Sequence, residues 1–506
     1  MKLTTALMLS TLGMALSSVS VWALVPPGGD PGSASARTPS TPSTPAVSGD
    51  VATIADLVGL GGSASFSSGS TLLMEGRLGH ATLAADRETE TYLFLDVKAQ
   101  AEGNAAVTTP VDLAIVLDRS GSMQGQRMNN ALAAAQGMIR RMRDGDTVSV
   151  VGYNTSTQIL LQPTRIDSRT RELALASLRG VDAQGNTCVS CGVEAAMDLL
   201  ARGEPGAVQR ILLLSDGEAN TGVRDVDGFR RLGDRARGME TAVSSIGVDV
   251  DYNERVLFAL SQSSNGRHYF VDDPSGLPRI FDDELQSLVT TVAAGANVEI
   301  DLAPGVTVTQ VFDRTFEQRG DRVTVPFGAF SADDEKTVLL RLRVPAGERG
   351  KAPIAQVRMR YQDLVGAKPG DCEGQLVAMR TRDAAELSEL DPLVEARLAR
   401  SETSAALALA NEQFESGDIG LARKTLESSR GRIRTRRDEV AARPSAPASK
   451  AKIDADFERQ IDAFDSADQG FGAAQQSAPS PQAASESRDG KRQVRSNADL
   501  FDDLGL

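Results

Sequence analysis

An apolar segment that ends on an acid and two hydroxyls is the most informative stretch of this sequence for chemistry. Residues 111–117 are almost entirely apolar, and Asp118, Ser120 and Ser122 follow at alternate positions. A short unbroken apolar run is typical of a strand buried on both faces of a sheet, and ligands in open α/β sheets collect beyond the carboxyl ends of such strands. Carboxylate and hydroxyl oxygens suit a hard divalent cation such as Mg²⁺. The spacing therefore predicts a metal site here.

Two later segments strengthen this interpretation. Thr187 lies in a polar loop before a helical pattern, and Asp216 and Gly217 end a second apolar run that begins at Arg210. With these pieces the chain resembles the von Willebrand factor type A domain and its metal-ion-dependent adhesion site. The alternative is that the two acids only cap helices and turns.

The resemblance implies a role for each matched position. Ser120, Ser122 and Thr187 would supply hydroxyl ligands, and Asp118 and Asp216 would bind the metal directly or through water. A carboxylate from a partner protein would fill the sixth position. The expected cofactor is Mg²⁺, with Mn²⁺ or Ca²⁺ as alternatives.

Alternating strand and helix patterns surround these positions. A helical stripe covers 124–142, and its alternation with strands predicts a Rossmann-like, doubly wound α/β fold with a mostly parallel sheet. The resemblance to bacterial secreted members of the family covers 110–292. The other predicted strands of this sheet are 146–153, 243–250 and 266–271.

Strand-like alternation also flanks this domain on both sides. We expect 51–109 and 293–383 to form one antiparallel β-sandwich into which the α/β domain is inserted. In the segment 92–98, alternation places Leu93, Leu95 and Val97 on one face. The alternative is a separate small sheet on each side.

Helical patterns dominate the C-terminal part of the chain. Residues 384–443 are predicted to form an antiparallel helical hairpin, with helices at 393–414 and 419–440. Residues 444–506 are expected to be mostly disordered, apart from a short helix at 453–464. The last eight residues, 499–506, are interpreted as a docking motif or an unstructured end.

The N-terminus predicts export. Residues 1–23 read as a secretory signal peptide cleaved after Ala23, with an uncleaved anchor as the alternative, and no Cys stands at the cleavage point for lipid attachment. Residues 24–50 form a Pro/Ser/Thr linker that we expect to be disordered. The predicted location is the periplasm, or the extracellular space and cell surface. No later segment is apolar enough to predict a membrane span.

The three cysteines predict one disulfide. Cys188 and Cys191 directly follow Thr187, and in an exported protein such a pair can close a short bridge that stiffens the loop. The alternative is two small buried residues at a helix start. Cys372 would remain free or pair between chains.

Charge and histidine content bear on the class of function. The formal charge of −14 and the lack of a basic patch argue against a nucleic-acid partner. Catalysis by Ser120 or Ser122 would need a nearby base, and neither His80 nor His268 has an evident triad arrangement. We therefore expect a cell-adhesion or protein-binding module rather than an enzyme, with a partner that offers an acidic side chain. The alternatives are a secreted hydrolase and a structural surface protein with a non-functional metal site.

Overall fold

The computed structural model describes most of the chain after residue 63. The predicted signal peptide and linker lie outside the described residues, as do the last three residues. Within the described part, no helix is long and apolar enough to cross a membrane. The described ranges are 64–100, 109–204, 206–250, 252–443 and 447–503.

The first described elements are four strands of a β-sandwich. Buried and half-buried residues alternate along the second strand, as expected when one face packs on a core. The strands are β1 (Ser65–Gly69), β2 (Leu72–Leu78), β3 (Thr82–Ala84) and β4 (Thr89–Ala99).

An α/β domain follows, and its sheet has the strand order β10-β9-β8-β5-β6-β7. All pairings are parallel except that between β6 and β7. Every residue of β5 is buried because helices cover both faces of the sheet. The strands are β5 (Val111–Asp118), β6 (Thr147–Tyr153), β7 (Thr157–Arg165), β8 (Val208–Ser215), β9 (Ala242–Val248) and β10 (His268–Val271).

The helices of this domain form two layers. One layer shares a core with one face of the sheet and contains α1 (Gln126–Arg141), α2 (Ser168–Ser177) and α6 (Leu277–Val289). The other covers the opposite face and contains α3 (Val189–Leu200), α4 (Val226–Gly238) and α5 (Glu254–Ser263). The predicted doubly wound α/β fold is confirmed.

Seven further strands complete the sandwich. The two sheets have the orders β1-β2-β4-β15-β12 and β13-β14-β11-β16-β17-β3, and only the β17–β3 pairing is parallel. The strands are β11 (Thr291–Leu302), β12 (Thr307–Phe312), β13 (Glu317–Arg319), β14 (Arg322–Ser331), β15 (Glu335–Val344), β16 (Gly350–Asp363) and β17 (Lys368–Thr381).

Strands from before and after the α/β domain pair directly with each other. In the β4–β15 ladder, Leu93 lies opposite Leu340 and Leu95 opposite Val338. These residues share one core with the facing sheet. Burying a leucine or valine side chain stabilises a fold by about 1.5–3 kcal/mol. The prediction of one sandwich with an inserted domain is therefore confirmed, and separate small sheets are excluded.

The C-terminal part is helical throughout its described length. The predicted hairpin is present as α7 (Pro392–Glu415) and α8 (Ile419–Ala441). The prediction that residues 444–506 are mostly disordered is wrong. The described residues of this segment, 447–503, form α9 (Pro447–Ser477), α10 (Pro481–Glu486) and α11 (Arg488–Asp503).

The reason for this error lies in the spacing of apolar residues along α9. Residues such as Ile453, Phe457, Phe464 and Phe471 recur at helical spacing and are buried against the hairpin. The Phe471 ring stacks on Phe414 of α7, with centroids 4.1 Å apart. The expected helix at 453–464 covers only part of this stripe, because the Ala-, Gln- and Ser-rich composition after Phe471 conceals how far the helix extends.

Candidate metal centre

The five predicted metal-site residues lie in three segments of the chain that meet at the carboxyl edge of the parallel sheet. Asp118 is the last residue of β5, and Asp216 directly follows β8. The two strands are parallel neighbours, with Leu117 paired to Leu214. The pairing therefore places both acids side by side at this edge.

Asp118 is a buried carboxylate held by neutral donors. One oxygen accepts from the Ser120 amide at 2.8 Å, and the other accepts from the hydroxyls of Ser215 at 2.9 Å and Tyr153 at 3.2 Å. Burial raises the pKa of Asp118 to about 6, although the hydrogen bonds from Ser120 oppose that shift. Within the described part of the chain, no arginine or lysine forms an ion pair with Asp118.

The hydroxyls of Ser120 and Ser122 link the surroundings of Asp118 to Asp216. Ser120 directly precedes a short 3-10 turn, Gly121–Met123. The Ser120 and Ser122 Oγ atoms are 3.0 Å apart, and Ser122 donates to Asp216 Oδ1 at 2.7 Å.

Backbone hydrogen bonds join the loop that carries Thr187 to the loop after β5. The Gly121 amide donates to the Gly185 carbonyl at 3.1 Å, and the Gln184 amide donates to the Arg119 carbonyl at 2.7 Å. These bonds fix the approach of Thr187 to the serines.

Thr187 is also fixed by the loop after β8. Its amide donates to Asn220 Oδ1 at 2.9 Å, and the Asn220 amide donates back to the Thr187 carbonyl at 3.1 Å. A Cβ placed on Gly217 would lie 3.5 Å from Ser122 Oγ and 3.7 Å from Thr187 Oγ1. Both hydroxyls therefore border Gly217, and the structure brings all five predicted residues to one place.

Two charged residues at this edge were missed by sequence reasoning. Arg127 of α1 donates to Asp216 Oδ2 at 2.9 Å and also forms an ion pair with Asp249. Burial alone would raise the pKa of Asp249, but the amide of Val250 and the charges of Arg127 and Arg488 lower it. Asp249 directly follows β9, so its place at a strand end was a usable signal. Nothing local in the sequence marked Arg127.

Two further site residues, Ser215 and Tyr153, were also missed. Both end strands adjacent to β5, and strand ends in a parallel sheet share one edge. That position was the signal that could have identified them.

The donor set fits a hard divalent cation. It consists of carboxylate and hydroxyl oxygens, which Mg²⁺ and Ca²⁺ prefer. Asp118 contributes a buried negative charge with neutral partners, and a buried charge is costly unless a counter-charge compensates it. No group of three or more His, Cys, Asp or Glu side chains in the described ranges is arranged to hold a metal ion. A cation at this edge would therefore depend on the hydroxyls of Ser120, Ser122 and Thr187.

Comparison with known proteins agrees with this architecture. Residues 112–283 match the family model of the von Willebrand factor type A domain. This segment is a type A domain. The chain is 29% identical over 264 residues to the uncharacterized protein sll0103 of Synechocystis sp.. The matched segment covers 50% of this chain and 62% of that protein. The match thus covers less than two thirds of the relative's length.

A shorter match and a solved structure extend the comparison. The chain is 29% identical over 125 residues to the minor fimbrium subunit Mfa5 of Porphyromonas gingivalis, covering 22% of this chain and 10% of that protein. The structure of a von Willebrand factor type A protein from Catenulispora acidiphila superposes with a TM-score of 0.61 at 19% identity, covering 76% of this chain and 93% of that one. This coverage extends beyond the type A domain, so the two proteins share more of the fold than the inserted domain.

A disulfide lies directly beside the Thr187 loop. The structure joins Cys188 to Cys191 at the start of α3, whereas Cys372 is a buried free thiol in the sandwich. Gly222, with φ of +75°, packs closely here, and a Cβ on it would lie 2.6 Å from Cys188 Sγ. The bridge therefore contacts both the loop that carries Thr187 and the loop after β8, which contains Gly222.

We predict that this disulfide forms in the exported protein and acts on cation affinity more than on global stability. Closing so short a loop stabilises the fold less than the roughly 3 kcal/mol expected for a 15-residue loop. Replacing Cys188 and Cys191 together by serine should weaken Mn²⁺ binding with little change in melting temperature. Mass spectrometry of the non-reduced protein should show one peptide lighter by two hydrogens. The Cys372→Ser variant is the control for thiol loss, and free alkylation of both Cys188 and Cys191 would contradict the prediction.

Proposed function

We propose that this protein is a divalent-cation-dependent protein-binding module of the cell envelope or surface. The observation that carries the proposal is the convergence of Asp118, three hydroxyls and Asp216 at the edge of the type A sheet, with no cationic partner on Asp118 among the described residues. The type A family and the fimbrial name of one relative support a protein-interaction role.

Some residues of the site would bind the cation, and others orient the Asp118 carboxylate. Ser120, Ser122, Thr187, Asp118 and Asp216 would hold Mg²⁺, or Mn²⁺ or Ca²⁺ in its place. The bound cation would supply a Lewis-acidic position for a carboxylate oxygen of the partner. The hydroxyls of Ser215 and Tyr153 orient the Asp118 carboxylate by donating to it.

The positions of the histidines support binding rather than catalysis. His268 is buried, with its ring nitrogens bonded to Ser245 and Tyr252, and burial lowers its pKa to about 3. His80 contacts Thr91 in the sandwich. These hydrogen bonds hold the rings of His268 and His80 against Ser245, Tyr252 and Thr91, which favours a structural role over that of a base for Ser120 or Ser122.

Export also belongs to this proposal. The N-terminal sequence supports a secretory signal, and a Cys188–Cys191 bridge suits an oxidising compartment. The periplasm and the cell surface are both compatible with these features.

Calorimetry with MgCl₂ and MnCl₂ on the full chain lacking residues 1–23 tests the cation step. We expect one saturable site. The partner step is tested by capture from the source cells with immobilised protein, in Mg²⁺ and in EDTA. A partner retained in Mg²⁺ and lost in EDTA is expected, and absence of cation binding to the folded protein would contradict the proposal.

A further inference from the structure

The C-terminal helix α11 docks on the same edge of the type A domain as the candidate metal centre. Three arginines at helical spacing, Arg488, Arg492 and Arg495, project from one side of it. Arg488 lies 2.6 Å from Asp249, and Arg492 lies 2.9 Å from Asp272.

Two further contacts extend this docked face along the helix. Arg495 lies 2.6 Å from Glu254, and Asp499 accepts from the Phe270 amide of the edge strand β10 at 3.1 Å. Burial raises the pKa of Glu254 to about 7, although Arg495 opposes that shift. The helix thus places three arginines against three acids of the type A domain.

An unbroken series of ion pairs connects this helix to the candidate metal ligand Asp216. Asp249 faces Arg488 through Oδ1 and Arg127 through Oδ2. Arg127 in turn donates to Asp216 at 2.9 Å. Asp249 has little exposed surface, so these contacts are partly desolvated and act more strongly than pairs in water.

Arg127 and a divalent cation would compete for the same carboxylate. While α11 is docked, Arg488 forms an ion pair with one oxygen of Asp249. The guanidinium of Arg127 meanwhile contacts both Asp249 and Asp216. When α11 leaves, Asp249 Oδ1 keeps only its bond from the Val250 amide, at 2.8 Å. Arg127 then faces a less neutralised carboxylate, which strengthens its pair with Asp249 and frees Asp216. Release of the helix also uncovers the three acids and makes the local potential more negative.

We propose that α11 is a strap whose docking opposes cation binding at the metal centre through Arg127 and Asp249. This inference rests on the proposed function. Because coupling between two sites is reciprocal, cation binding must weaken docking of the strap by the same factor. The type A domain is thus restrained by helix α11 of the same chain.

The first measurement compares Mn²⁺ affinity in matched variants. Arg488→Gln should lower the Kd for Mn²⁺ at least about fivefold, the lower end of typical coupling between sites. The control Arg279→Gln removes an exposed arginine from α6, and its Kd should remain that of the wild type. A triple variant, Arg488→Gln, Arg492→Gln and Arg495→Gln, removes the strap's three arginine contacts in case one loss leaves it docked.

The second measurement follows the strap itself by hydrogen exchange of residues 488–499. Exchange should be faster in the metal-free triple variant than in the wild type, and Mn²⁺ should accelerate it in the wild type but not in Asp118→Asn. A triple variant with a released strap and an unchanged Kd overturns the inference while the proposed function stands. If neither wild type nor triple variant binds Mn²⁺, both are overturned.

Discussion

Replacing Asp118 by asparagine is expected to reduce Mg²⁺ and Mn²⁺ affinity by at least about 100-fold, since even changes to groups that only orient a metal ligand cost about 10–100-fold. The substitution removes the buried charge but keeps the size of the side chain. Alanine is a poorer choice, because it would remove the side-chain acceptor of the Ser120 amide and one acceptor each of the Ser215 and Tyr153 hydroxyls. Calorimetry measures the loss.

A matched control separates the site from a general loss of negative charge. Asp182 is exposed in the loop that leads to Thr187, and Asp182→Asn makes the same chemical change there. Its cation affinity should equal that of the wild type. Circular dichroism should show both variants folded. Equal affinity of Asp118→Asn and Asp182→Asn would remove Asp118 from the metal centre.

Replacing Glu284 by alanine is expected to destabilise the protein by about 3–5 kcal/mol, because it breaks a buried ion pair and leaves one charge uncompensated. Glu284 of α6 is fully buried. It accepts from Arg210 at 2.9 Å and from the Tyr269 hydroxyl at 2.6 Å. Both donors would lose this acceptor in the variant, and denaturant unfolding measures the cost.

The adjacent acid of the same helix provides the control. Asp283 is more than half exposed and pairs with Arg279 at 3.8 Å, so Asp283→Ala should change stability by no more than about 0.5 kcal/mol. Adding Arg210→Met to a Glu284→Leu variant should recover much of the loss, because apolar residues can replace a buried pair. Equal unfolding free energies for Glu284→Ala and Asp283→Ala would show that the buried Glu284–Arg210 pair does not stabilise the fold more than an exposed pair does.

The sequence alone was sufficient to predict those parts of the fold that depend on local patterns. The apolar run before Asp118 predicted a strand buried on both faces, and alternation at Leu93, Leu95 and Val97 predicted the sandwich face. The helical hairpin followed from the helical patterns at 393–414 and 419–440. In these cases the residues that decide the structure lie close together along the chain.

Strand topology also made part of the candidate metal centre predictable. In a parallel sheet, strand ends share one edge, so Asp118 and Asp216 are brought together by topology alone. Ser120 and Ser122 were marked by their spacing after Asp118, whereas the role of Thr187 came from the family resemblance. Their hydrogen bonds to one another could not be read from the sequence, because they depend on loop conformations.

Only the tertiary structure decided what surrounds that centre. The contact of Arg127 with Asp216 and Asp249, and that of Arg488 with Asp249, join residues far apart in the chain. The Ala- and Gln-rich tail has a composition typical of disorder, yet it folds because the hairpin offers an apolar surface to Phe457, Phe464 and Phe471. Sequence patterns determined which elements form and where the strands end. Packing between distant elements decided which charges meet at those ends, because such contacts depend on the arrangement of whole helices and not on local spacing.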